Sequence, residues 1–489
     1  MTHRPHADLD PLRVGISRRQ LLALSSMGIG GLALRCLLHT ENVAAAATRA
    51  AAPAFDLKPK PSFAAPKARS VILMMQNGGP SQMDLFDRKP VLQKNSGMQH
   101  SIKVEMFQQG SEQNKLLASP FEFRRYGQSG IEMSQVIPHI GSIADELCLV
   151  RSMHTGHNNH TEALIMFMTG KIFQGRPSFG SWISYGLGSE NRNLPAYVVL
   201  RDPKGYNTTG TLTWAPGWLP ALYGGTEFNS EGTPVLNLQP ARKQPAGVQQ
   251  TNLAFLNTLN RIHQREYPSE GALETRIQNY ELAARMQLAA AQVLDMSNET
   301  AETQKLYGLD NPVTAGYGRR CLLARKLVEA GVRFVQIHPE PFQPWDTHAT
   351  TKESLTDICG KTDLPTAGLI LDLKRRGLLD ETIVVWSGEF GRLPVSQNGT
   401  GRDHNRNAFT VLLAGGGFKS GHIHGETDEV GYKAAVDRVS VADLHATVLN
   451  QLGLDHEGLT FHHAGRDETL TDASLTDARV VEELLQNPG

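Results

Sequence analysis

The sequence predicts an α/β fold, with a mostly parallel central sheet that is covered by helices on both faces. Short, continuous apolar runs rich in β-branched residues alternate along the chain with segments of helical periodicity. Such runs are typical of parallel strands that are buried on both sides. The polar clusters follow these runs, at the carboxyl ends of strands, where open α/β sheets bind ligands.

The predicted elements alternate in chain order, and no internal repeat is visible. Strands are expected at 71–75, 147–153, 196–200, 332–338, 382–386 and 409–415. Helices are expected at 134–145, 160–170, 367–379 and 441–453. Residues 201–330 are first rich in glycine, proline, asparagine and threonine and then mostly helical, so they are expected to form an insertion.

The composition is that of an ordinary globular protein. The 489 residues are 40% hydrophobic and 20% charged, with a formal net charge of -1. This balance does not suggest nucleic acid as a partner. Four cysteines that are widely spaced form neither a disulfide framework nor a cysteine-based zinc site.

The N-terminus has the order of an export signal. A twin-arginine pattern, Ser17 to Leu22, leads into an apolar run that ends at Leu34, and small residues follow from Val43 to Ala47. The apolar run is too short for an ordinary membrane span. Residues 1–47 are therefore expected to direct export to the periplasm or cell envelope. No transmembrane span is expected in the mature chain.

Three segments follow from this division of the chain. Residues 1–47 are the expected signal, and the segment 48–69, rich in alanine, proline and lysine, is the expected linker. A large α/β domain is expected over 70–489, with the insertion at 201–330.

The stretch "MHTGHNNHTE" contains His154, His157 and His160. His160 stands at the start of a predicted helix, where backbone N–H groups and the helix dipole favour an anion. A histidine there could be a ligand or a nucleophile. The alternative is that these residues lie in an exposed loop.

The stretch "PWDTH" places Asp346 and His348 two residues apart. On an extended segment, both side chains point the same way and could reach one ion. Aspartate and histidine suit zinc or manganese, whereas calcium prefers oxygen ligands alone. The alternative is a helix N-cap formed by Asp346 or Thr347.

Two polar stretches lie between the predicted strands 382–386 and 409–415. In "SGEFGR", Glu389 ends a strand between glycines, and Arg392 could bind an oxyanion. The alternative is an arginine–glutamate pair that holds a loop. In "GRDH", Arg402, Asp403 and His404 could contribute further ligands, or they could form a surface turn.

The order of these motifs resembles a known family. "NGGPSQMDLFDRKP", "MHTGHNNHTEALIMFMTG", "WDTH", "DLKRRGLLDETIVVWSGEFGR", "GRDHNRNAFTVLLAGGG" and "VADLHATVLNQLGLD" occur in that order over nearly the whole chain. The sequence is thereby similar to the exported domain of unknown function 1501 family, within the alkaline phosphatase/sulfatase superfamily. The resemblance implies an alkaline phosphatase-like three-layer sandwich.

The resemblance also implies roles for the polar residues. His160 falls where sulfatases carry cysteine or serine, and it would act as ligand, nucleophile or general base. Arg392 would clamp an oxyanion. The implied metal ligands are Asp346, His348, Glu389 and His404, and further contributors are Asn77, His154, His157, Arg402 and Asp403. Asn77 stands at the position of an aspartate ligand, Phe390 at that of a histidine, and Gln82 where histidine is expected.

The implied function is an exported, metal-dependent hydrolase of sulfate or phosphate esters, acting on small molecules or glycans. One divalent ion (zinc, manganese or calcium) is expected, and no organic cofactor. There is no Cys-x-Pro-Ser-Arg motif, so formylglycine chemistry is not expected. The alternative is a binding or assembly protein that keeps the fold around a degenerate site.

Overall fold

The computed structural model describes residues 55–101, 103–107, 109–231, 247–266, 277–286 and 293–486. The predicted export signal therefore lies outside the described residues. The chain divides into two compact units, residues 1–54 with 254–271 and residues 55–253 with 272–489. Of the first unit, the structure describes helical residues 254–266. The second unit contains the sheet and every candidate site residue.

The elements of the described residues alternate as the sequence predicts. The strands are β1 Ser70–Met75, β2 Lys115–Leu116, β3 Phe123–Tyr126, β4 Ile131–Ser134, β5 Cys148–His154, β6 Tyr197–Leu200, β7 Thr226–Glu227, β8 Phe334–Ile337, β9 Thr382–Ser387, β10 Gly391–Ser396, β11 Arg402–Asn405, β12 Phe409–Ala414, β13 His422–His424, β14 Glu426–Thr427, β15 Ala434–Val436, β16 Val439–Ser440, β17 Phe461–His463 and β18 Arg466–Glu468. The helices are α1 Gln82–Leu85, α2 Pro90–Lys94, α3 Pro138–Ser142, α4 His160–Thr169, α5 Phe179–Leu187, α6 Val248–Glu266, α7 Ala301–Leu306, α8 Pro312–Glu329, α9 Thr351–Arg375, α10 Val441–Gln451 and α11 Ala473–Thr476, with a further helical stretch at 277–286.

The central sheet is mostly parallel, as predicted. Its order is β13-β5-β12-β9-β1-β8-β6-β7, and β16 also pairs with β5. β1 runs parallel to β8 and β9, whereas β12 is antiparallel to both β9 and β5. The carboxyl ends of β1, β5, β8 and β9 therefore meet at one edge of the sheet. β12 begins at that same edge.

Helices cover both faces of the sheet, and β1 shows how. Ile72 and Met74 pack into a core with residues of α8 and α9, such as Leu322 and Leu369. Their neighbours Val71, Leu73 and Met75 pack into the other core. That second core holds residues of α4, α5 and α10. Since strand side chains alternate between faces, this apolar run serves two cores at once. The predicted α/β sandwich is confirmed.

Helix α4 begins and ends where its sequence predicts. The side chain of Asn159 caps the first turn by accepting a hydrogen bond from the N–H of Thr161 at 3.1 Å. Gly170 ends the helix in the left-handed region at φ 78°. A Cβ at Gly170 would lie 2.2 Å from the carbonyl oxygen of Leu470, so only glycine fits there. These two ends fix His160 as the first residue of the helix.

Three predicted boundaries differ from the structure. The helix predicted at 367–379 begins at Thr351, because Pro365 lies inside α9 without ending it. The helix predicted at 134–145 shortens to α3 and a 3-10 turn at Ala144–Glu146. The polar stretch after β9 continues as the antiparallel pair β10–β11, in which Arg392 faces His404. Because several residues of this pair are polar, the apolar pattern of the sequence does not predict these two strands.

The described part of the predicted linker, residues 55–69, belongs to the second unit and is hydrogen-bonded within it. The ammonium of Lys60 donates to the carbonyl of Tyr185 at 2.6 Å. The N–H groups of Lys67 and Ala68 both donate to the carbonyl of Gln451. In the described part of the chain, no helix combines the length and the apolar character that crossing a membrane requires.

Candidate metal centre at the carboxyl edge of the sheet

Three segments bring polar side chains together at the carboxyl edge of the sheet. His160 opens α4 after β5, Asp346 and His348 lie between β8 and α9, and His404 lies on β11. A Cβ at Gly401 would come 1.8 Å from the carbonyl oxygen of His348, so β11 and the loop before α9 are in close contact. The fold thus joins residues that are far apart in the sequence.

The imidazole and carboxylate atoms converge on one region. Nε2 of His160 lies 3.4 Å from Oδ2 of Asp346. Nε2 of His348 lies 3.4 Å from Oδ1 of Asp346 and 2.8 Å from Nε2 of His404. Ligand atoms of His160, Asp346 and His404 all lie within 4.8 Å of one another, and the same holds for His348, Asp403 and His404.

Each of the three imidazoles is oriented by an acceptor on its other nitrogen. Nδ1 of His160 lies 2.5 Å from Oε1 of Glu389. Nδ1 of His404 lies 2.7 Å from the carbonyl oxygen of Asn158, and Nδ1 of His348 lies 2.9 Å from the amide oxygen of Gln397. Because these oxygens accept, each Nδ1 carries the hydrogen. The Nε2 lone pairs then point toward Asp346 and one another.

With the hydrogen on each Nδ1, this arrangement is suited to a positive charge between the rings. Nε2 of His348 and Nε2 of His404 would otherwise oppose two lone pairs at 2.8 Å. Nε2 of His160 is buried and makes no hydrogen bond among the described residues, whereas Oδ1 of Asp346 is paired with the guanidinium of Arg392 at 2.8 Å. A buried polar atom without a hydrogen bond is costly, and a bound cation would satisfy Nε2 of His160 as well as the facing Nε2 atoms of His348 and His404. The donor set therefore fits a metal ion.

Burial and neighbouring charges shift the pKa values of the three histidines in different directions. Burial and the charge of Arg392 lower the pKa of His404 and that of His348 below their usual value. Burial also lowers the pKa of His160, but the carboxylates of Asp346 and Glu389 outweigh it, so that pKa is raised. Burial raises the pKa of Asp346, and the Arg392 charge overcomes this and holds it low. Asp346 is thus an anion facing the neutral imidazoles of His348 and His404.

Glu389 does not face the region where the Nε2 atoms converge. Its side chain is fully buried, and both oxygens accept from the N–H of Gly78, at 2.9 and 3.0 Å. Oε1 also bonds Nδ1 of His160. Gly78 has φ 116° and lies so close to the backbone of Trp345 and Asp346 that a Cβ would meet their nitrogens within 2.8 Å. This turn therefore connects Glu389 to the Asp346 loop.

Arg392 is also fully buried, and the protein occupies most of its donors. Nε donates to the carbonyl of Gly79 at 2.9 Å, and a terminal nitrogen donates to the carbonyl of Gly78. The other terminal nitrogen donates to the carbonyl of Arg402 at 3.1 Å and lies 2.8 Å from Oδ1 of Asp346. The predicted oxyanion clamp thus has little hydrogen-bonding capacity left for a ligand.

Arg402, predicted at lower weight as a contributor, lies in a buried ion pair. Its guanidinium binds Asp84 with two contacts of 2.7 and 3.1 Å, and both side chains are fully buried. It also donates to the carbonyls of Leu393 and Leu117. The pair ties β11 to α1, so Arg402 supports the fold.

The other predicted contributors lie beside the cluster or away from it. Asp403 is buried, with Oδ1 3.9 Å from Nδ1 of His348. Asn77 donates to the carbonyl of Phe342 and contacts His338 at 3.4 Å. Nδ1 of His157 accepts from the N–H of Asn159 at 3.1 Å. His154 ends β5, and within the described residues no contact joins it to the cluster.

Three supporting residues were not singled out from the sequence. Gln397 and Asn158 supply the oxygens that orient His348 and His404. Phe107 stacks on the ring of His404, with centroids 4.6 Å apart and 21° between the planes. A backbone carbonyl acceptor has no sequence signal, and a lone phenylalanine in a polar segment has only a weak one.

The family model described as protein of unknown function (DUF1501) matches residues 68–485. No curated protein matches the chain. Similar solved structures include the PsFucS1 sulfatase from Pseudoalteromonas sp., which is 14% identical over 80% of this chain and 68% of that chain, with a TM-score of 0.36. The phosphonate monoester hydrolase SpPMH from Silicibacter pomeroyi is 13% identical over 72% of each chain, with a TM-score of 0.32. A protein in the alkaline phosphatase superfamily from Vibrio parahaemolyticus is 10% identical over 91% of this chain and 80% of that chain, with a TM-score of 0.32.

The tautomers of His404 and His348 can be measured directly. In metal-free protein at neutral pH, 15N NMR of the imidazoles should show both rings neutral, with the hydrogen on Nδ1, because oxygens accept at that atom. A hydrogen on Nε2 of His348 would turn the contact with His404 into an ordinary hydrogen bond and remove the need for a cation there.

Proposed function

The chain belongs to the DUF1501 family, and on this premise we propose that it is an exported, metal-dependent hydrolase of sulfate or phosphate esters. The observation that carries the proposal is the convergence of three Nε2 atoms and the Asp346 carboxylate. A hydrogen bond from the ring nitrogen that does not face the ion, here Nδ1, is typical of histidines that bind metals. The substrate class comes from the family resemblance of the sequence.

We assign four ligands, His160, His348, His404 and Asp346. Three imidazole nitrogens and one carboxylate suit zinc or manganese, whereas calcium prefers oxygen ligands alone. The side chains of His348 and Asp346 are 20% and 22% exposed. One side of the cluster is therefore open to solvent, as a catalytic centre requires.

Glu389 takes a different role from the ligand role predicted for it. Both of its oxygens are engaged by Gly78, and Oε1 also by His160, so the carboxylate orients His160 from behind. The negative charge on that side makes Nε2 a better electron donor. Glu389 is thus a positioning residue.

A metal ion at this point would polarise an ester oxygen and lower the pKa of a bound water to near neutral. The side chains of His160, His348 and His404 would hold the ion, because their Nε2 lone pairs are directed at the same position. Arg392 fixes Asp346 in its anionic form through their 2.8 Å contact. With His160 engaged as a ligand, we assign it no separate role as nucleophile.

The charges of the centre favour a singly charged ester. The carboxylate of Asp346 is paired with the guanidinium of Arg392, and the carboxylates of Glu389 and Asp403 lie beside His160 and His348. A divalent ion together with Arg392 therefore brings these three carboxylates to neutrality. Arg406, next along the chain, is already paired with Glu105 at 2.6 Å. A sulfate ester carries one negative charge and a phosphate monoester about two. The sulfate ester therefore fits better.

The occupied donors of Arg392 also favour a second candidate, a non-enzymatic binding or assembly protein with a bound metal. A hydrolase gains from donors aimed at the charge that develops in the transition state. The guanidinium of Arg392 is instead directed at the carbonyls of Gly78, Gly79 and Arg402. Metal binding without ester turnover would support this candidate.

Export to the periplasm or cell envelope is proposed from residues 1–47 alone. Fractionation of cells that make the full chain tests it, with Arg18→Lys and Arg19→Lys combined as the comparison. We expect the wild-type chain in the periplasmic fraction and the variant in the cytoplasm, because the arginine pair is the export signal. Equal distribution of the two chains would contradict export by this route.

Glu389→Gln should weaken zinc binding by about 10–100-fold, because it removes the charge that orients His160. The measurement is competition for zinc between the full chain and a chelator. Glu162→Gln is the matched control, because Glu162 lies on α4, the helix that begins with His160. Its side chain is 39% exposed, and its carboxylate is 3.9 Å from Nδ1 of His157. Equal affinities of Glu389→Gln and wild type, with both chains folded, would exclude the positioning role.

The zinc-loaded chain should hydrolyse 4-nitrophenyl sulfate faster than 4-nitrophenyl phosphate, because a neutral centre has no surplus positive charge to balance the second negative charge of the phosphate. Asp346→Asn and His404→Ala should each lower turnover by roughly 100-fold or more. His462→Ala, in an exposed hairpin, should leave it unchanged. Stoichiometric zinc in elemental analysis without turnover of either ester would contradict the hydrolase and leave the binding protein.

A further inference from the structure

Four rings surround the imidazole of His404, and they differ in exposure. Phe390, His160 and His348 lie with ring centroids 4.3–4.6 Å from it. Phe390 is fully buried, whereas Phe107 is 42% exposed. Phe107 lies nearly parallel to His404, at 21°. One face of its ring is therefore covered by the imidazole, and apolar surface of Phe107 remains open beside the proposed centre.

The position of Phe107 is built into the fold. Its N–H donates to Oδ2 of Asp403 at 2.8 Å, and the hydroxyl of Ser111 donates to the same oxygen at 3.0 Å. Two residues before it, Glu105 forms two contacts with Arg406, at 2.6 and 3.0 Å. Asp403 and Arg406 bracket His404 in the sequence. The segment that carries Phe107 is thus fastened on both sides of this histidine.

The polar groups around this ring already have partners. The guanidinium of Arg406 binds Glu105 and the carbonyl of Gly156. The carboxylate of Asp403 accepts from Phe107 and Ser111. An organic group that enters beside the centre therefore meets a flat apolar surface. Stacking of a second ring on such a surface is favourable, by offset or edge contacts.

We propose that Phe107 is a specificity-determining residue, whose ring receives the alcohol part of an ester substrate beside His404. The chemistry it selects is a ring with a flat apolar face, either an aromatic ring or the apolar face of a sugar. This inference rests on the proposed function, since it places the organic group next to the metal-bound ester. A short alkyl ester would leave the phenyl surface exposed to water and bind more weakly.

Binding of two non-hydrolysable anions to the zinc-loaded full chain tests the proposal by calorimetry. Benzylphosphonate should bind about tenfold more tightly than methylphosphonate, because only the former can stack on Phe107. Phe107→Ala should remove this preference and leave the affinity for methylphosphonate unchanged. Phe173→Ala is the control: Phe173 is 69% exposed and lies beyond the opposite end of α4 from His160.

The outcomes separate the two proposals. Equal affinities for the two phosphonates in wild type, or a preference that survives Phe107→Ala, overturn the role of Phe107 and leave the hydrolase proposal standing. Failure of both phosphonates to bind overturns the role of Phe107, whereas the hydrolase proposal is decided by turnover of 4-nitrophenyl sulfate. Loss of zinc from Phe107→Ala in elemental analysis would show that the ring only supports His404, and it also overturns the proposal.

Turnover then distinguishes the two ring types. For the substrate that carries the ring type recognised by the protein, Phe107→Ala should raise KM by about tenfold and leave kcat nearly unchanged. The substrates are 4-nitrophenyl sulfate for the aromatic ring and galactose 6-sulfate for the sugar. A fall in kcat with KM unchanged for both would contradict a binding role.

Discussion

The constraint on which the site depends is the commitment of three Nδ1 hydrogens to oxygen acceptors. Glu389, the carbonyl of Asn158 and Gln397 hold His160, His404 and His348 by that atom. Each ring then has one orientation and one free lone pair. The lone pairs point at the same carboxylate. A cation at that point relieves repulsion that the fold itself creates, so the fold and the proposed ligand are energetically coupled.

Buried arginines keep this arrangement in place. Arg392 joins β10 to the turn at Gly78 and Gly79 and to Asp346. Arg402 joins β11 to α1 through Asp84. Removing one partner of such a buried pair costs about 3–5 kcal/mol, because a charge is left without compensation. These side chains therefore act on the site through the backbone. This explains why an arginine next to the cluster need not contact a substrate.

The polar stretch from Glu389 to His404 shows which features of the site a sequence pattern can predict and which it cannot. Its acidic residues and histidine predicted a site at the end of a strand, and the structure brings His160, Asp346, His348 and His404 together there. The sequence pattern could not show that Glu389 turns toward Gly78 and His160. A glutamate that binds a metal and one that orients a histidine look identical in a sequence. The conformation of Gly78, at φ 116°, decides that question.

The sequence by itself determined the alternation of strands and helices, the parallel sheet and the edge at which polar residues collect. These features follow from local periodicity and from the burial of continuous apolar runs. Only the tertiary structure decided which nitrogen of each histidine is free, which arginine donors are occupied, and that Phe107 covers His404. Those outcomes depend on contacts between residues as far apart in the chain as Phe107 and His404, and on backbone carbonyls, which carry no side-chain identity.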